Sequence, residues 1–217
     1  FALNAYTGID RKTKDVDFFC KASDYPKILN HFGALGYKTV IEDERWIAKV
    51  KKNGYFFDII FNSANALTPI TDKWIKESSQ ADMLGFKVNV IPPTEFIWSK
   101  AFIQNRSRYD GADIIHVLLK KHKDIHWERL LTYFDQYWEV LLIHILNFRF
   151  VYPSEREVIP RKIIDELVNR LQEQTHLPSS QKKVCRGRLF SLQDYLVDIE
   201  EWGFADLIGE AHEPRSK

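Results

Sequence analysis

The chain has 217 residues, of which 45% are hydrophobic and 28% are charged, and its formal net charge is +1. Such a length and composition are typical of one large or two small globular domains. The near-neutral charge gives no overall attraction to nucleic acid or to a membrane surface. Two cysteines, Cys20 and Cys185, exclude a disulfide framework, so we expect the reduced thiols of a cytoplasmic protein.

The sequence contains neither a membrane span nor a secretion signal that we can identify. No apolar run approaches the ~20 residues of a transmembrane helix, and we expect no membrane association. The start of the chain, from Phe1 to Asn4, has no basic stretch followed by an apolar block. We therefore expect no signal peptide there.

The first ninety residues alternate between strand and helix patterns. Gly8 is expected to close a short first helix, and Asn53-Gly54 is the strongest hairpin signal in the chain. The strand that follows this hairpin is apolar at nearly every position, which predicts burial on both of its faces. Strands are predicted over 13–19, 38–41, 45–51, 55–61 and 85–91, and helices from Asp24 to Gly36 and over 70–79.

From Thr94 onward the apolar residues recur with the period of a helix. The segment 137–150 is so strongly apolar that it is expected to be buried on most sides. We predict an α/β (α+β) fold, with a mixed-sheet domain over 1–92 and a helical domain over 93–217 that includes a mobile basic loop near 178–188. The predicted helices of the second domain begin near Thr94 and cover 110–119, 127–131, 137–150 and 161–174.

Two aspartates flank one valine at Asp15-Val16-Asp17, within the first predicted strand. Alternating residues of a strand share a face, so the Cβ atoms of Asp15 and Asp17 would lie roughly 6.5 Å apart. Two carboxylates on one face repel each other, and a divalent cation removes this repulsion. Mg²⁺ uses one or two carboxylates together with water and phosphate oxygens. The alternative is a solvent-facing edge strand whose polar face is acidic.

The segment 5–18 resembles the DNA-polymerase-β-like nucleotidyltransferase superfamily, in particular its small bacterial members, including those of abortive-infection toxin systems. Arg11, Thr13, Asp15 and Asp17 match the Arg-x-Thr-x-Asp-hydrophobic-Asp strand of that family. A Gly-Gly or Gly-Ser turn stands just upstream of this strand in the family. It is absent from this chain, and we expect that a few further residues precede Phe1.

The resemblance implies transfer of a nucleoside monophosphate from an NTP to an acceptor, which is RNA, a protein or a small molecule. Asp15 and Asp17 would hold Mg²⁺ (or Mn²⁺), and Arg11 and Thr13 would contact the nucleotide. Asp58 would be the third catalytic and metal-binding carboxylate, on the strand beside the Asp-x-Asp strand. The alternative for Asp58 is a salt bridge across the hairpin, to Lys49 or to Arg45.

The resemblance also implies nucleotide-binding roles for Lys100 and Arg108, because the family follows its sheet with a lysine-bearing helix and then a basic residue. Lysine acts on phosphate as a point charge, whereas arginine can bind it bidentately. Replacing Lys100 with Ala would then weaken NTP binding with little effect on folding. The alternative is structural: Asp110 and Asp113 cap the helix that they begin, and Lys100 pairs with them.

Two other classes of function remain open at this stage. The first is a non-catalytic member that binds a nucleotide or a protein, for instance in a toxin–antitoxin pair. The second is a metal nuclease, which explains Arg11 and Thr13 less well. The one basic cluster of the sequence either contacts a phosphate backbone or lies in a solvated loop. It consists of Lys182, Lys183, Arg186 and Arg188.

Overall fold

The structure, a computed structural model, describes residues 1–10 and 16–207. It divides into two compact units, with the boundary between Ser99 and Lys100. The sequence divides the chain between residues 92 and 93, and that assignment of domains stays a prediction. The mixed α/β character that the sequence predicts is confirmed.

The first unit combines short helices with strands. Its helices are α1 (Ala2–Thr7), α2 (Tyr25–Ala34), α3 (Asp72–Lys76) and α4 (Pro93–Lys100), whose last residue belongs to the second unit. Its strands are β1 (Asp17–Phe19), β2 (Lys38–Asp43), β3 (Ile47–Lys52), β4 (Tyr55–Ile60), β5 (Ser79–Met83) and β6 (Phe86–Val90).

Four strands of the first unit form a mixed sheet in the order β1-β4-β3-β2. Strands β2, β3 and β4 are antiparallel neighbours, whereas β1 pairs with β4 in parallel. Helix α2, which connects β1 to β2, packs on one face of this sheet through an apolar core. The buried members of that core are Cys20, Leu29, Ala48, Val50, Ile59 and Phe61.

Two tight hairpins shape the first unit. At Asn53-Gly54 both residues have positive φ, 52° and 82°, as the sequence signal for a two-residue turn requires. Leu84-Gly85 adopts the same conformation, with φ of 54° and 82°, and joins β5 to β6. Strand β5 was not predicted by the sequence, which assigns no element to residues 80–84. The helix predicted over 70–79 is shorter than expected and ends at Lys76.

The prediction that the strand after Asn53-Gly54 is buried on both faces is wrong for its first half. Tyr55 and Phe56 at the hairpin end of β4 are exposed, whereas Asp58 and Ile59 are buried. The physical reason is pairing: Tyr55 and Phe56 have a neighbouring strand only on the β3 side, whereas β1 covers the other side of β4 from Asp58 onward. Burial therefore begins where the candidate carboxylate lies.

The second unit is mostly helical. Its helices after α4 are α5 (Gly111–Lys121), α6 (Trp127–Tyr133), α7 (Trp138–Val151), α8 (Arg161–Thr175) and α9 (Leu196–Glu200), and its short parallel strands are β7 (Val184–Cys185) and β8 (Ala205–Asp206). The predicted helices over 110–119, 127–131, 137–150 and 161–174 correspond to α5–α8. The pair β7–β8 was not expected from the sequence.

Helix α7 is buried on most sides, as its apolar sequence predicts, but it keeps one exposed apolar stripe. Helices α5 and α8 pack against it and cover only part of its circumference. Ile143, Leu146 and Phe150 remain exposed, and 87% of Phe150 is accessible to solvent. The other positions of 137–150 are buried or half-buried, so the predicted burial on most sides is confirmed and one exposed stripe remains.

His144 lies on the opposite, fully buried side of α7. Its Nε2 is 2.9 Å from the carbonyl oxygen of Ala101. A ring N–H donated to this carbonyl places the proton on Nε2, and Nδ1 has no hydrogen-bond partner among residues 1–10 and 16–207. Burial lowers the pKa of His144 below its ordinary value of 6.5, although the hydrogen bond to Ala101 acts in the opposite direction.

We expect acid to destabilise the second unit through His144. The folded-state pKa of His144 lies below 6.5, the value that we assign to the unfolded chain. The contribution of neutral His144 to the free energy of unfolding is therefore fully present above pH 6.5, and it is lost as the pH falls through the folded-state pKa. His144→Gln, whose amide does not titrate, should flatten that pH dependence in urea unfolding across this range. His176→Gln, at an exposed position, is the control and should leave it unchanged. If the free energy of unfolding of wild type and of His144→Gln depended on pH in the same way, His144 would not be the group responsible.

Candidate functional site

Three of the residues predicted to hold metal or nucleotide lie outside the described part of the chain. They are Arg11, Thr13 and Asp15. The second aspartate of the Asp-x-Asp motif, Asp17, is the first residue of β1, and Asp58 lies on the neighbouring strand β4. The structure thus brings together one carboxylate of the motif and the predicted third carboxylate.

Asp17 and Asp58 occupy the same register position of the parallel pair β1–β4. The backbone N–H of Asp58 donates to the carbonyl oxygen of Val16 at 2.9 Å, which fixes this register. Register partners on neighbouring parallel strands project to the same face, with backbones about 4.8 Å apart. The two carboxylates are therefore neighbours on one face of the sheet.

The packing of the neighbouring residues shows which face of the sheet carries the two carboxylates. Phe18, one residue after Asp17, packs edge-on against Phe57, with their ring centroids 5.5 Å apart. Ile59, the register partner of Phe18, belongs to the core beneath α2. Because side chains alternate along a strand, Asp17 and Asp58 lie on the face turned away from α2.

Asp58 forms an ion pair with Lys49 on the adjacent antiparallel strand. Only 6% of Asp58 is exposed, and Lys49 Nζ lies 2.6 Å from its Oδ1. Lys49 and Asp58 are direct cross-strand partners, and the same Nζ lies 4.5 Å from the centroid of the Phe56 ring. A buried carboxylate needs such a partner. This is the Lys49 salt bridge that the sequence offered as the alternative for Asp58.

Arg45, the other partner considered for Asp58, binds a different carboxylate. Its Nε donates to Asp43 Oδ1 at 2.9 Å, and its Nη2 pairs with Asp43 Oδ2. The hydrogen bond from Arg45 lowers the pKa of Asp43 to about 2. Arg45 is therefore engaged in the turn between β2 and β3.

The donor set at Asp17 and Asp58 is compatible with Mg²⁺, which binds through one or two carboxylates and takes its other oxygens from water and phosphates. Within the described ranges no group of three or more His, Cys, Asp or Glu side chains could hold a metal ion. Asp15, the third predicted ligand, lies outside those ranges. A cation at Asp58 would take the position that Lys49 Nζ occupies next to its carboxylate.

The predicted nucleotide ligands Lys100 and Arg108 belong to the second unit, where they surround two acidic residues. Lys100 Nζ pairs with Asp110 and lies 3.3 Å from Asp113 Oδ2. Arg108 contacts Asp110 through Nε at 3.0 Å and through Nη2 at 2.8 Å. Both aspartates are 8% exposed. These contacts are the pairing that the sequence offered as the structural alternative for Lys100. Asp110 is the N-cap residue of α5, but its side chain makes no capping hydrogen bond.

Opposing effects act on the ionisation of Asp110. Burial is the largest single effect and would raise its pKa, but the hydrogen bonds and charges of Arg108 and Lys100 together outweigh burial. The pKa of Asp110 therefore lies below its ordinary value, and the carboxylate is charged at neutral pH. The cluster lies at the start of α5, where the ring of Tyr109 occupies the space that a Cβ atom on Gly111 would need.

Most of the basic cluster near the end of the chain is engaged inside the second unit. Arg186 Nη1 lies 3.1 Å from Glu139 Oε2, and Arg188 is buried and pairs with Asp206. Lys183 Nζ lies 5.5 Å from the centroid of the Phe204 ring. These contacts favour a structural role for the cluster over binding of a phosphate backbone.

A cavity of the first unit has no counterpart in the sequence analysis. Its volume is about 710 Å³, and Asp17 contributes to its lining. The lining residues come from separate segments between Phe1 and Ile91, so no local motif signals the cavity.

Comparison of the chain with protein-family models, with curated proteins and with solved structures gives no match. None of the helices in the described ranges combines the length and the apolarity needed to cross a bilayer.

Proposed function

We propose that the chain is a metal-dependent nucleotidyltransferase that moves a nucleoside monophosphate from an NTP to an acceptor. One observation carries the proposal: Asp17 and Asp58 are register partners on neighbouring parallel strands. The resemblance to DNA-polymerase-β-like nucleotidyltransferases implies this arrangement, in which an aspartate of the Asp-x-Asp motif lies beside a third carboxylate on the adjacent strand.

In this proposal Asp17 and Asp58, together with Asp15, bind Mg²⁺ or Mn²⁺. The ion would neutralise triphosphate charge and stabilise the entering and leaving oxygens. Asp58 accepts the proton of the acceptor hydroxyl, whose oxygen bonds to the α-phosphorus while the bond to pyrophosphate breaks. Lys49 must first leave the Asp58 carboxylate, and it is then a free cation beside the site.

The acceptor and the location of the protein are further parts of the proposal. The candidate acceptors are RNA, a protein and a small molecule, and a cytoplasmic location agrees with the two unpaired cysteines, Cys20 and Cys185. Nucleotide binding by Arg11, Thr13, Lys100 and Arg108 stays a prediction.

The test is transfer of label from an NTP that carries it in the α-phosphate. With Mg²⁺ present, we expect label to move onto the RNA, the protein or the small-molecule fraction of a cell extract. Asp17→Asn should abolish this transfer, because it removes one negative charge and keeps the side-chain shape. Asp82→Asn, on the exposed face of β5, is the matched control and should transfer normally.

Thermal melts distinguish this role of Asp17 from a structural one. If Asp17 repels its neighbouring carboxylates, metal-free Asp17→Asn is as stable as wild type or slightly more stable, and Mg²⁺ stabilises it less. A clear loss of stability in the metal-free variant, with an unchanged response to Mg²⁺, would overturn the catalytic assignment.

The ion pair between Lys49 and Asp58 favours a second candidate function. A protein that keeps Lys49 on this carboxylate would bind a nucleotide or a partner protein without transferring anything, as in a toxin–antitoxin pair. NTP binding that needs no divalent cation, together with no transfer of label to any of the three fractions, would favour this candidate.

A further inference from the structure

A row of residues across the four-stranded sheet places a cation next to the carboxylates of the candidate site. Asp17, Asp58 and Lys49 are successive register partners on β1, β4 and β3. Their side chains project to the same face of the sheet, and neighbouring strands lie about 4.8 Å apart. On the other side of Lys49 the row continues with Val40 on β2, which is apolar. The charged neighbour of Lys49 in this row is therefore Asp58.

Two contacts hold the ammonium group of Lys49 in place. Its Nζ lies 2.6 Å from Asp58 Oδ1 and 4.5 Å from the centroid of the Phe56 ring. The face of an aromatic ring attracts a cation without carrying net charge, so this second contact does not depend on the first. Phe56 and Asp58 are two residues apart on β4 and share one face of the sheet. Lys49 can therefore leave the carboxylate and remain on the same face.

A divalent cation that binds Asp58 has to displace Lys49 from it. Asp58 is buried, and separating a buried ion pair costs free energy, which is subtracted from the gain of metal binding. The ammonium group and the metal ion also repel each other while both stay near the carboxylate. A triphosphate removes both penalties, because its oxygens complete the coordination of the metal and a lysine ammonium binds phosphate as a point charge.

We propose that Lys49 is an internal counter-ion that keeps divalent cations off Asp58 until a triphosphate arrives. The cation would then enter as its complex with the NTP, and the displaced Lys49 would bind the phosphates of that complex. This inference rests on the proposed function, because it takes Asp58 as a metal ligand. It adds a coupling between cation and NTP that the carboxylates alone do not provide.

Calorimetric titration with Mn²⁺, alone and as its complex with inorganic tripolyphosphate, tests the proposal. Lys49→Met should bind Mn²⁺ alone several-fold more tightly than wild type, because no ammonium group competes for Asp58. The same variant should bind the Mn²⁺–tripolyphosphate complex several-fold more weakly, because a contact to phosphate is lost. If the ion pair were only structural, the two affinities would not change in opposite directions.

Two further variants serve as controls for Lys49→Met. Lys51→Met removes the same charge from the same strand, at a lysine that pairs with Glu42, and should leave both affinities close to those of wild type. Lys49→Arg keeps the positive charge beside Asp58 and should bind Mn²⁺ alone as weakly as wild type does. Equal effects of Lys49→Met and Lys51→Met would overturn the proposal.

The double variant Lys49→Met, Asp58→Asn distinguishes failure of this inference from failure of the proposed function. It should lose the Mn²⁺ binding that Lys49→Met gains. If the double variant binds Mn²⁺ as well as Lys49→Met does, or if neither binds it, Asp58 is not a metal ligand and both proposals fail. If the double variant loses binding but Lys49→Met binds Mn²⁺ no more tightly than wild type, the role of Lys49 alone is wrong.

Discussion

Replacing Lys100 with Met is expected to lower the free energy of unfolding of the second unit by about 3–5 kcal/mol. Lys100 neutralises Asp110 and Asp113, and both carboxylates are 8% exposed. Removing the cation leaves buried negative charge that is less well compensated, although Arg108 still pairs with Asp110. Methionine retains most of the apolar stem, so the loss reports on the charge. Urea unfolding at neutral pH measures it.

Lys120→Met is the matched control, because Lys120 is an exposed lysine on α5. Its substitution should change the free energy of unfolding by less than about 0.5 kcal/mol. If Lys100→Met costs no more than Lys120→Met and weakens NTP binding, the ion pairs contribute little and the nucleotide-binding interpretation of Lys100 gains support. A large loss of stability with unchanged NTP affinity would leave Lys100 a structural residue.

Lys49→Met is expected to destabilise the metal-free first unit by about 3 kcal/mol, near the lower end for a broken buried pair. The lower value reflects Lys49, whose side chain is 23% exposed, whereas that of Asp58 is 8% exposed. Mg²⁺ should recover part of the loss if Asp17 and Asp58 bind it, because a ligand that binds the folded state stabilises it. Thermal and urea unfolding with and without Mg²⁺ measure both effects.

Lys51→Met on the same strand is the control for Lys49→Met. Lys51 pairs with Glu42 at 2.8 Å, but both side chains are more than a third exposed, and such pairs contribute about 0–1 kcal/mol. Adding Asp58→Asn to Lys49→Met should restore most of the lost stability, because the amide carries no charge. A double variant as unstable as Lys49→Met would show that the loss has another cause.

Local chemistry was sufficient to predict much of the first unit. Asn53-Gly54 predicted its hairpin because both residues readily adopt positive φ. The hairpin at Leu84-Gly85 was missed because leucine rarely adopts positive φ, so the sequence gives no turn signal there. As a result, β5 was not predicted: its first residue, Ser79, was placed in a helix, and residues 80–83 were assigned to no element. For α7 the sequence predicted burial on most sides, but an apolar sequence does not reveal which side the neighbouring helices leave exposed.

The sequence was sufficient to nominate the residues of the candidate site. It was less informative about which residues within the site pair with each other. The hairpin at Asn53-Gly54 puts Lys49 opposite Asp58, so their ion pair could be foreseen as one of two alternatives. The choice of Lys49 over Arg45 depends on Asp43, which binds Arg45 within a tight turn. The pairing of β1 with β4 joins residues distant in the sequence. Only the resemblance suggested that these strands are neighbours, and it did not predict their parallel direction.

The order of the four-stranded sheet also has a consequence for aggregation between molecules. Its two outer strands are β1 and β2. An outer strand offers unpaired backbone groups to foreign strands, and short length, charge and irregularity discourage such pairing. Strand β2 is charged near both ends and irregular between Ile41 and Asp43, and β1 is three residues long and begins with Asp17. The carboxylate to which we assign chemistry thus also opposes edge-to-edge aggregation.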